Sequence, residues 1–179
     1  MQSKRKSQRK HGYDYSQPGY YAVTVCTQNR SCLFGVIDNG DMLLNDAGRM
    51  IDKIWHEMPE HYPCIELDVM QIMPNHLHGI VVVRDPSDPR ANPHHGTEDG
   101  RTQRSAPTTV SNVIQRFKTL TTTRYIEGVK TARWPSFHHK LWQRNFHDRI
   151  IRNETELNRT RSYIKNNPAQ WESDDNNVA

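Results

Sequence analysis

The stretch Met73–Val83, which reads MPNHLHGIVVV, decides the fold. Its β-branched run Ile80–Val83 predicts a buried strand, and because the run is apolar on both faces we expect it to be central in its sheet. Residues i and i+2 of a strand point to one face, so His76 and His78 project side by side and Leu77 points away. Imidazole is the commonest metal ligand among side chains, which makes the pair a candidate metal site. Two polar residues near a strand end are the alternative interpretation.

The residues before this stretch predict two further strands and a helix. Ile65–Met73 alternates in polarity and is joined to the histidine strand by the turn residues Pro74 and Asn75. Tyr20–Thr27 predicts another strand, and residues 33–44 a loop with a short hairpin at Asp38-Asn39-Gly40. The helix follows Asn45 or Asp46 as cap and ends at Pro59 and Pro63. Its apolar residues recur at three- and four-residue spacing: Met50, Ile51, Ile54, Trp55 and Met58.

The residues after the Met73–Val83 stretch predict a helix, a strand and a second helix. The first helix begins near Thr108 and ends at Gly128, and a short strand pattern lies within 141–151. Asn153 caps the last helix, with Glu156 in capping-box position, and Pro168 stops it. The order strand, helix, strand, strand, helix, strand, helix predicts an α+β fold. We expect a ferredoxin-like (RRM-like) antiparallel sheet with helices packed on it, plus a C-terminal helix that carries Tyr163.

Length and composition predict one domain in a soluble, intracellular protein. The chain has 179 residues, of which 34% are hydrophobic, and its apolar runs are too short to span a membrane. Three cysteines without close spacing favour reduced thiols, so we expect a cytoplasmic, nucleoid-associated protein. We divide it into a basic arm at 1–12, a domain at 13–172 with a flexible insertion at 85–107, and an acidic tail at 173–179.

The charge distribution favours a polyanionic partner. Residues 46–100 carry 4 Lys/Arg against 10 Asp/Glu, whereas residues 101–165 carry 14 against 4. We expect DNA contacts from the basic arm, from two tyrosines that can stack on bases, and from four later cations. These residues are Lys4, Arg5, Lys6, Arg9, Lys10, Tyr13, Tyr15, Arg116, Lys118, Arg144 and Arg149. The edge of a core explains the tyrosines equally well, and a solvated face explains Arg144 and Arg149 equally well.

Two motifs carry a resemblance to a known family. His76-Leu77-His78 resembles the His-hydrophobic-His motif of the HUH single-strand DNA endonucleases. Tyr163–Pro168, YIKNNP, resembles the catalytic tyrosine helix of their single-tyrosine transposase branch. Tyr13-Asp14-Tyr15 with Pro18-Gly19, and Trp142-Gln143, stand in that family's order. Over about residues 9–172 the chain is similar to the REP-associated tyrosine transposases.

The resemblance implies a site and a reaction. His76, His78 and Asn167 would bind a divalent cation, Mg²⁺ or Mn²⁺, and Tyr163 would be the nucleophile. A related branch has glutamine four residues after the tyrosine, and Asn166 is an alternative third ligand here. Tyr125 competes as nucleophile but lacks the amide four residues on.

The implied enzyme is a single-strand DNA transposase or endonuclease. It would act as a monomer or homodimer on single-stranded or hairpin DNA, nicking and rejoining REP-like palindromes through a 5′-phosphotyrosine. The rival interpretation is a non-catalytic nucleic-acid-hairpin-binding protein on the same ferredoxin-like fold.

Overall fold

The structure is a computed structural model that describes residues 14, 16–85, 87 and 108–177. The predicted basic arm, Tyr13 and Tyr15 lie outside these residues, as does the predicted insertion apart from residues 85 and 87. Of the described helices, none is long and apolar enough to cross a bilayer.

Four antiparallel strands form the main sheet, and they follow the predicted order of elements. The strands and helices, in chain order, are β1 Gly19–Cys26, β2 Gly35–Asp38, β3 Asp41–Leu44, α1 Asp46–His61, β4 Ile65–Met73, β5 His76–Val83, α2 Val110–Thr131, β6 His147–Ile151 and α3 Glu154–Asn166. The sheet has the spatial order β4-β5-β1-β6, and β2 and β3 pair separately as a hairpin. This arrangement confirms the predicted ferredoxin-like α+β fold with a tyrosine-bearing helix at its end.

Strand β5 is central, as its apolar run predicted. It pairs with β1 along its whole length and with β4 on its other side, where a register shift lies between Leu67 and Met70. All of its residues are buried. The strand therefore contributes side chains to two separate clusters, one on each face of the sheet.

Helices α1 and α2 cover one face and build the larger core. Leu77 and Val81 of β5 pack there with Trp55 and Phe117, whose ring centroids are 5.3 Å apart in an edge-on arrangement. Gly79 makes this packing feasible, because a Cβ on it would lie 2.7 Å from Cζ2 of Trp55.

Helix α3 covers the opposite face with a smaller cluster. Ile80 and Val82 of β5 pack there with Ile151, Leu157 and Ile164. His76 and His78 have the same strand parity as Ile80 and Val82, so the histidines lie on the α3 face.

Local sequence signals were correct at the helix starts. The side chain of Asn45 accepts a hydrogen bond from the Gly48 amide, and that of Asn153 accepts one from Glu156. Thr109 caps α2 in the same way. The β2–β3 turn is also as predicted, with Asn39 and Gly40 at positive φ.

Helix and strand ends were predicted less well. Helix α1 continues past Pro59 to His61, so the proline removes a single bond in the last turn. Helix α2 continues past Gly128 to Thr131. The glycine leaves room for the Trp134 ring, since a Cβ on it would lie 2.2 Å from Cε3. The strand predicted within 141–151 begins only at His147, and Trp142 forms a lone bridge with Thr27.

Candidate metal centre and nucleophile

The two histidines of β5 face one another at the start of the strand. Their Nε2 atoms are 3.0 Å apart, which confirms the side-by-side projection. Nδ1 of His76 lies 2.7 Å from Oδ1 of Asn75, and Nδ1 of His78 lies 2.8 Å from Oγ1 of Thr24. Such partners fix the orientation of each ring, and the two Nε2 atoms remain next to each other.

Burial keeps both imidazoles neutral. It lowers the pKa of His76 to about 3 and that of His78 to about 4, and the proximity of His78 adds to the effect on His76. A neutral imidazole offers the lone pair that a metal ion requires. The pair is therefore in its ligand form across the physiological range.

Helix α3 brings Tyr163 and Asn167 to the same place, as the four-residue spacing predicted. The Tyr163 ring stands edge-on to the His78 ring with centroids 5.4 Å apart, and 48% of the tyrosine is exposed. Asn167 is 1% exposed, whereas Asn166 is exposed to solvent. Burial and a hydrogen bond between the side chains of Asn167 and Tyr163 thus favour Asn167 over Asn166 as the third candidate ligand.

A carboxylate that the sequence analysis assigned no role also lies here. Oδ2 of Asp174 is 3.8 Å from Nε2 of His76, and its side chain is 4% exposed. Ligand atoms of His76, His78 and Asp174 all lie within 4.8 Å of one another.

The segment that carries Asp174 packs over His76. A 3₁₀ helix, Pro168–Ser173, follows α3, and its Trp171 ring lies 6.1 Å from the ring of His76. Nδ2 of Asn75 donates to the Asn176 carbonyl at 2.8 Å. The only signal in the sequence was Pro168, which suits the first turn of a new helix as well as the end of an old one.

The donor set fits a divalent cation. Oδ1 of Asn167 and Oδ2 of Asp174 are buried and have no hydrogen-bond partner among the described residues. Buried oxygens without partners are costly, and the Asp174 oxygen lies 3.8 Å from Nε2 of His76. Two imidazole nitrogens with amide or carboxylate oxygens form a familiar ligand set for divalent metals.

A cavity of about 410 Å³ adjoins Tyr163 between α3 and the strands β1 and β6. His147, Arg149 and Arg159 line it together with the tyrosine. Among the predicted DNA contacts that the structure describes, Arg149 is the one that lines this cavity, and it also pairs with Glu156.

The other predicted DNA-contact cations that the structure describes lie outside this cavity. Arg116 is exposed beside His61, and Arg144 is exposed on the loop before β6. Nζ of Lys118 donates to the carbonyls of Gln143 at 2.9 Å and Asn145 at 3.0 Å, so this lysine holds that loop.

Tyr125 is not part of this constellation. It is fully buried in the core on the α1/α2 face, and its hydroxyl donates to the Pro135 carbonyl at 3.0 Å. Burial raises its pKa to about 12. Its position suits packing rather than nucleophilic attack.

Comparison with known proteins places this arrangement in a class of folds. No family model matches the chain. A REP-associated tyrosine transposase, solved bound to a REP hairpin, superposes with a TM-score of 0.57 at 18% identity over 90% of this chain and 73% of that one. The protein thus has the α+β fold of that transposase.

A relative in sequence is closer. An uncharacterised protein of Haemophilus influenzae is 36% identical over 172 residues, which are 95% of this chain and 91% of that protein. The chain belongs to the same family as this Haemophilus protein.

Proposed function

We propose that the protein is a metal-dependent single-strand DNA transposase or endonuclease. It nicks and rejoins DNA at hairpin sequences through a covalent 5′-phosphotyrosine. One observation carries the proposal: the ring of Tyr163 lies 5.4 Å from that of His78. The tyrosine also interacts with Asn167 and Asp174, each of which has a buried oxygen without a hydrogen-bond partner among the described residues. A transposase of similar fold, solved with a REP hairpin, supports hairpin DNA as the partner.

In this proposal His76, His78 and Asn167 hold the cation, and the Asp174 carboxylate offers a further oxygen. When bound, Mg²⁺ or Mn²⁺ polarises the phosphorus and offsets negative charge in the transition state. Asn75 and Thr24 keep the two imidazole rings oriented through their Nδ1 atoms.

Tyr163 is the nucleophile. Its half-exposed ring is accessible to a strand that enters along the adjoining cavity. The phenolic oxygen attacks phosphorus as its proton is removed, the bond to the 3′ oxygen breaks, and that oxygen takes up a proton. The products are a 5′-phosphotyrosine and a free 3′-hydroxyl. Attack by another 3′-hydroxyl reverses the step and joins strands.

The tyrosine needs help to lose its proton. Burial and the Asp174 carboxylate raise the pKa of Tyr163 above its ordinary value, while the Asn167 side chain opposes that rise. The resting hydroxyl is therefore protonated at neutral pH, and the proton leaves during attack rather than before it.

The test is adduct formation with a 3′-labelled single strand that contains a hairpin. In Mg²⁺ or Mn²⁺ the wild type should give a covalent band on a denaturing gel, and Tyr163→Phe should give none. Tyr125→Phe is the matched control and should keep the band, because its hydroxyl only binds the Pro135 carbonyl. Equal adduct from Tyr163→Phe, or loss of adduct in Tyr125→Phe alone, contradicts the assignment.

The histidines separate catalysis from binding. His76→Ala and His78→Ala should abolish adduct while hairpin affinity, which depends on phosphate contacts elsewhere, stays within about threefold. A wild type that binds the hairpin in both cations without ever forming adduct would instead support the rival function, a non-catalytic hairpin-binding protein.

A further inference from the structure

A second, larger cavity lies on the opposite side of the sheet from Tyr163. It has a volume of about 770 Å³, and we call it the α2 groove: one wall is α2 from Ser111 to Thr123, and the other is the loop His139–Phe146. None of its lining residues is acidic, and the lining includes the cations Lys118, Lys140 and Arg144.

The loop wall is held in place by contacts with its surroundings. Lys118 binds the carbonyls of Gln143 and Asn145, and Nε1 of Trp142 donates to Oγ1 of Thr121 at 2.8 Å. The Gln143 amide donates to the Cys26 carbonyl at 2.9 Å, and Cys26 is the register partner of His76. The groove is therefore preformed, and its loop is anchored at the end of the sheet where the histidines lie.

The loop wall carries positive charge toward solvent. Lys140 and Arg144 are exposed, and neither forms an ion pair with a described residue. Lys118 is occupied with the loop carbonyls. Lys140 and Arg144 are thus the two groove cations positioned for phosphates.

The helix wall offers hydrogen-bond acceptors. Hydroxyls of Thr119, Thr122 and Thr123 each donate to the backbone carbonyl four residues earlier, at 3.0, 2.6 and 3.1 Å. With these protons committed, the three oxygens present lone pairs to the groove. Such a wall repels phosphate oxygens and suits N–H donors, among them the amino groups of unpaired bases.

We propose that the α2 groove binds a single-stranded segment of nucleic acid. Its phosphates lie along Lys140 and Arg144, and base edges face the threonine wall. A duplex is disfavoured because its base amino groups are already paired and it would have to enter between two walls.

The loop wall of the groove joins β6, the edge strand that lines the cavity beside Tyr163. The loop runs from Phe146 directly into β6, whose His147 and Arg149 line the cavity beside Tyr163. In this respect the inference rests on the proposed function: the groove holds the part of the strand that continues away from the cleaved phosphate.

Binding of a short unstructured oligonucleotide to the full chain, measured by fluorescence anisotropy in chelator, tests the proposal. Lys140→Gln/Arg144→Gln should weaken binding about tenfold and reduce the slope of log affinity against log salt by about 1.4, at ~0.7 per phosphate contact on single strands. Arg124→Gln/Lys130→Gln removes two charges from exposed positions of α2 outside the groove lining and should change affinity less than twofold. Equal effects of the two double variants overturn the proposal.

A second comparison tests the threonine wall. Thr119→Val/Thr122→Val/Thr123→Val should weaken binding of a mixed-sequence strand several-fold and leave an abasic strand of equal length unaffected. Equal weakening of both strands, or none for the mixed strand, contradicts contact with bases. Poly-glutamate that binds as tightly as the oligonucleotide, with the same loss in Lys140→Gln/Arg144→Gln, would identify an acidic polypeptide as the occupant and overturn the proposal.

The outcome is separable from that of the proposed function. The anisotropy assay requires neither cation nor cleavage, so it measures binding in the groove independently of adduct formation. Absence of adduct with normal groove behaviour refutes only the catalytic proposal, and normal adduct with an insensitive groove refutes only this one.

Discussion

On the α1/α2 face of the sheet, Trp55 and Phe117 pack against β5 within a continuous apolar core. On the α3 face, the apolar cluster covers only part of the strand, and a row of polar residues crosses the sheet beside it. Register partners form this row: Gln71 with His78, His78 with Thr24, and Thr24 with His147. One strand thus contributes to stability on one face and to a candidate chemical site on the other.

Deleting a core side chain from each face measures this asymmetry most directly. Phe117→Ala should lower the free energy of unfolding by ~3–5 kcal/mol, because the ring also contacts Trp55 and Trp142. Ile164→Ala, in the smaller cluster, should cost about 2 kcal/mol. Urea unfolding of both variants checks the comparison, and an equal loss would show that the faces contribute alike.

The buried histidines on the α3 face should make the free energy of unfolding of the metal-free protein depend on pH. His76 and His78 have pKa values of about 3 and about 4, below the value of 6.5 for an unperturbed histidine. As pH falls below 6.5 the unfolded chain takes up protons that the folded chain does not, so stability present above pH 6.5 is lost toward pH 4. We expect a loss of about 5 kcal/mol between pH 7 and pH 4.5 in chelator, about 2.5 kcal/mol for each histidine.

Two double variants sharpen this test. His76→Gln/His78→Gln should flatten the dependence of unfolding free energy on pH between 4.5 and 7. His138→Gln/His139→Gln removes the same number of histidines from exposed positions and should keep the wild-type slope. The reverse result would place the linked protons outside the buried pair.

Thr24 belongs to the same row of polar residues, and replacing it should have a smaller effect, on metal affinity. Thr24→Val keeps the shape of the side chain but removes the oxygen that lies 2.8 Å from Nδ1 of His78. Loss of such an orienting contact typically weakens metal affinity ~10–100-fold, so calorimetric titration with Mn²⁺ should show a drop of that size. Thr131→Val, whose hydroxyl only binds the Glu127 carbonyl, is the control and should titrate like wild type.

The smallest effect contrasts the two tyrosines in stability alone. Tyr163→Phe should change the free energy of unfolding by less than about 0.5 kcal/mol, because the ring is half exposed. Tyr125→Phe should cost about 1 kcal/mol through the lost bond to Pro135. A larger loss in Tyr163→Phe would indicate that this hydroxyl is a structural group.

The sequence predicted the fold well where local patterns and packing agree. The run Ile80–Val83 correctly predicted a central strand, and Asn45 and Asn153 were correct as caps because capping depends on a few neighbouring residues. The predictions that helices end at Pro59 and Gly128 were wrong, because packing against residues distant in sequence determines where a helix ends. Gly128 is a glycine on account of Trp134, which no local pattern reveals.

The candidate site was predictable where the spacing of residues in a strand or helix determines the direction in which their side chains point. Strand parity placed His76 beside His78, and helical spacing placed Asn167 below Tyr163. Asp174 could not be found in this way, since it reaches the histidines through Trp171 and Asn176, contacts that follow from tertiary packing. The roles of all these residues in catalysis stay predictions.

The central position of β5 has a consequence for hydrogen exchange. The strand is hydrogen-bonded to a neighbouring strand on each side, and every residue in it is buried. Its amides should therefore exchange only through global unfolding. Helix α3 buries only Leu157 and Ile164 and should open more often, by local unfolding. Deuterium uptake should therefore be slow at the histidine pair and fast around Tyr163. The two halves of the candidate site would then open on different timescales.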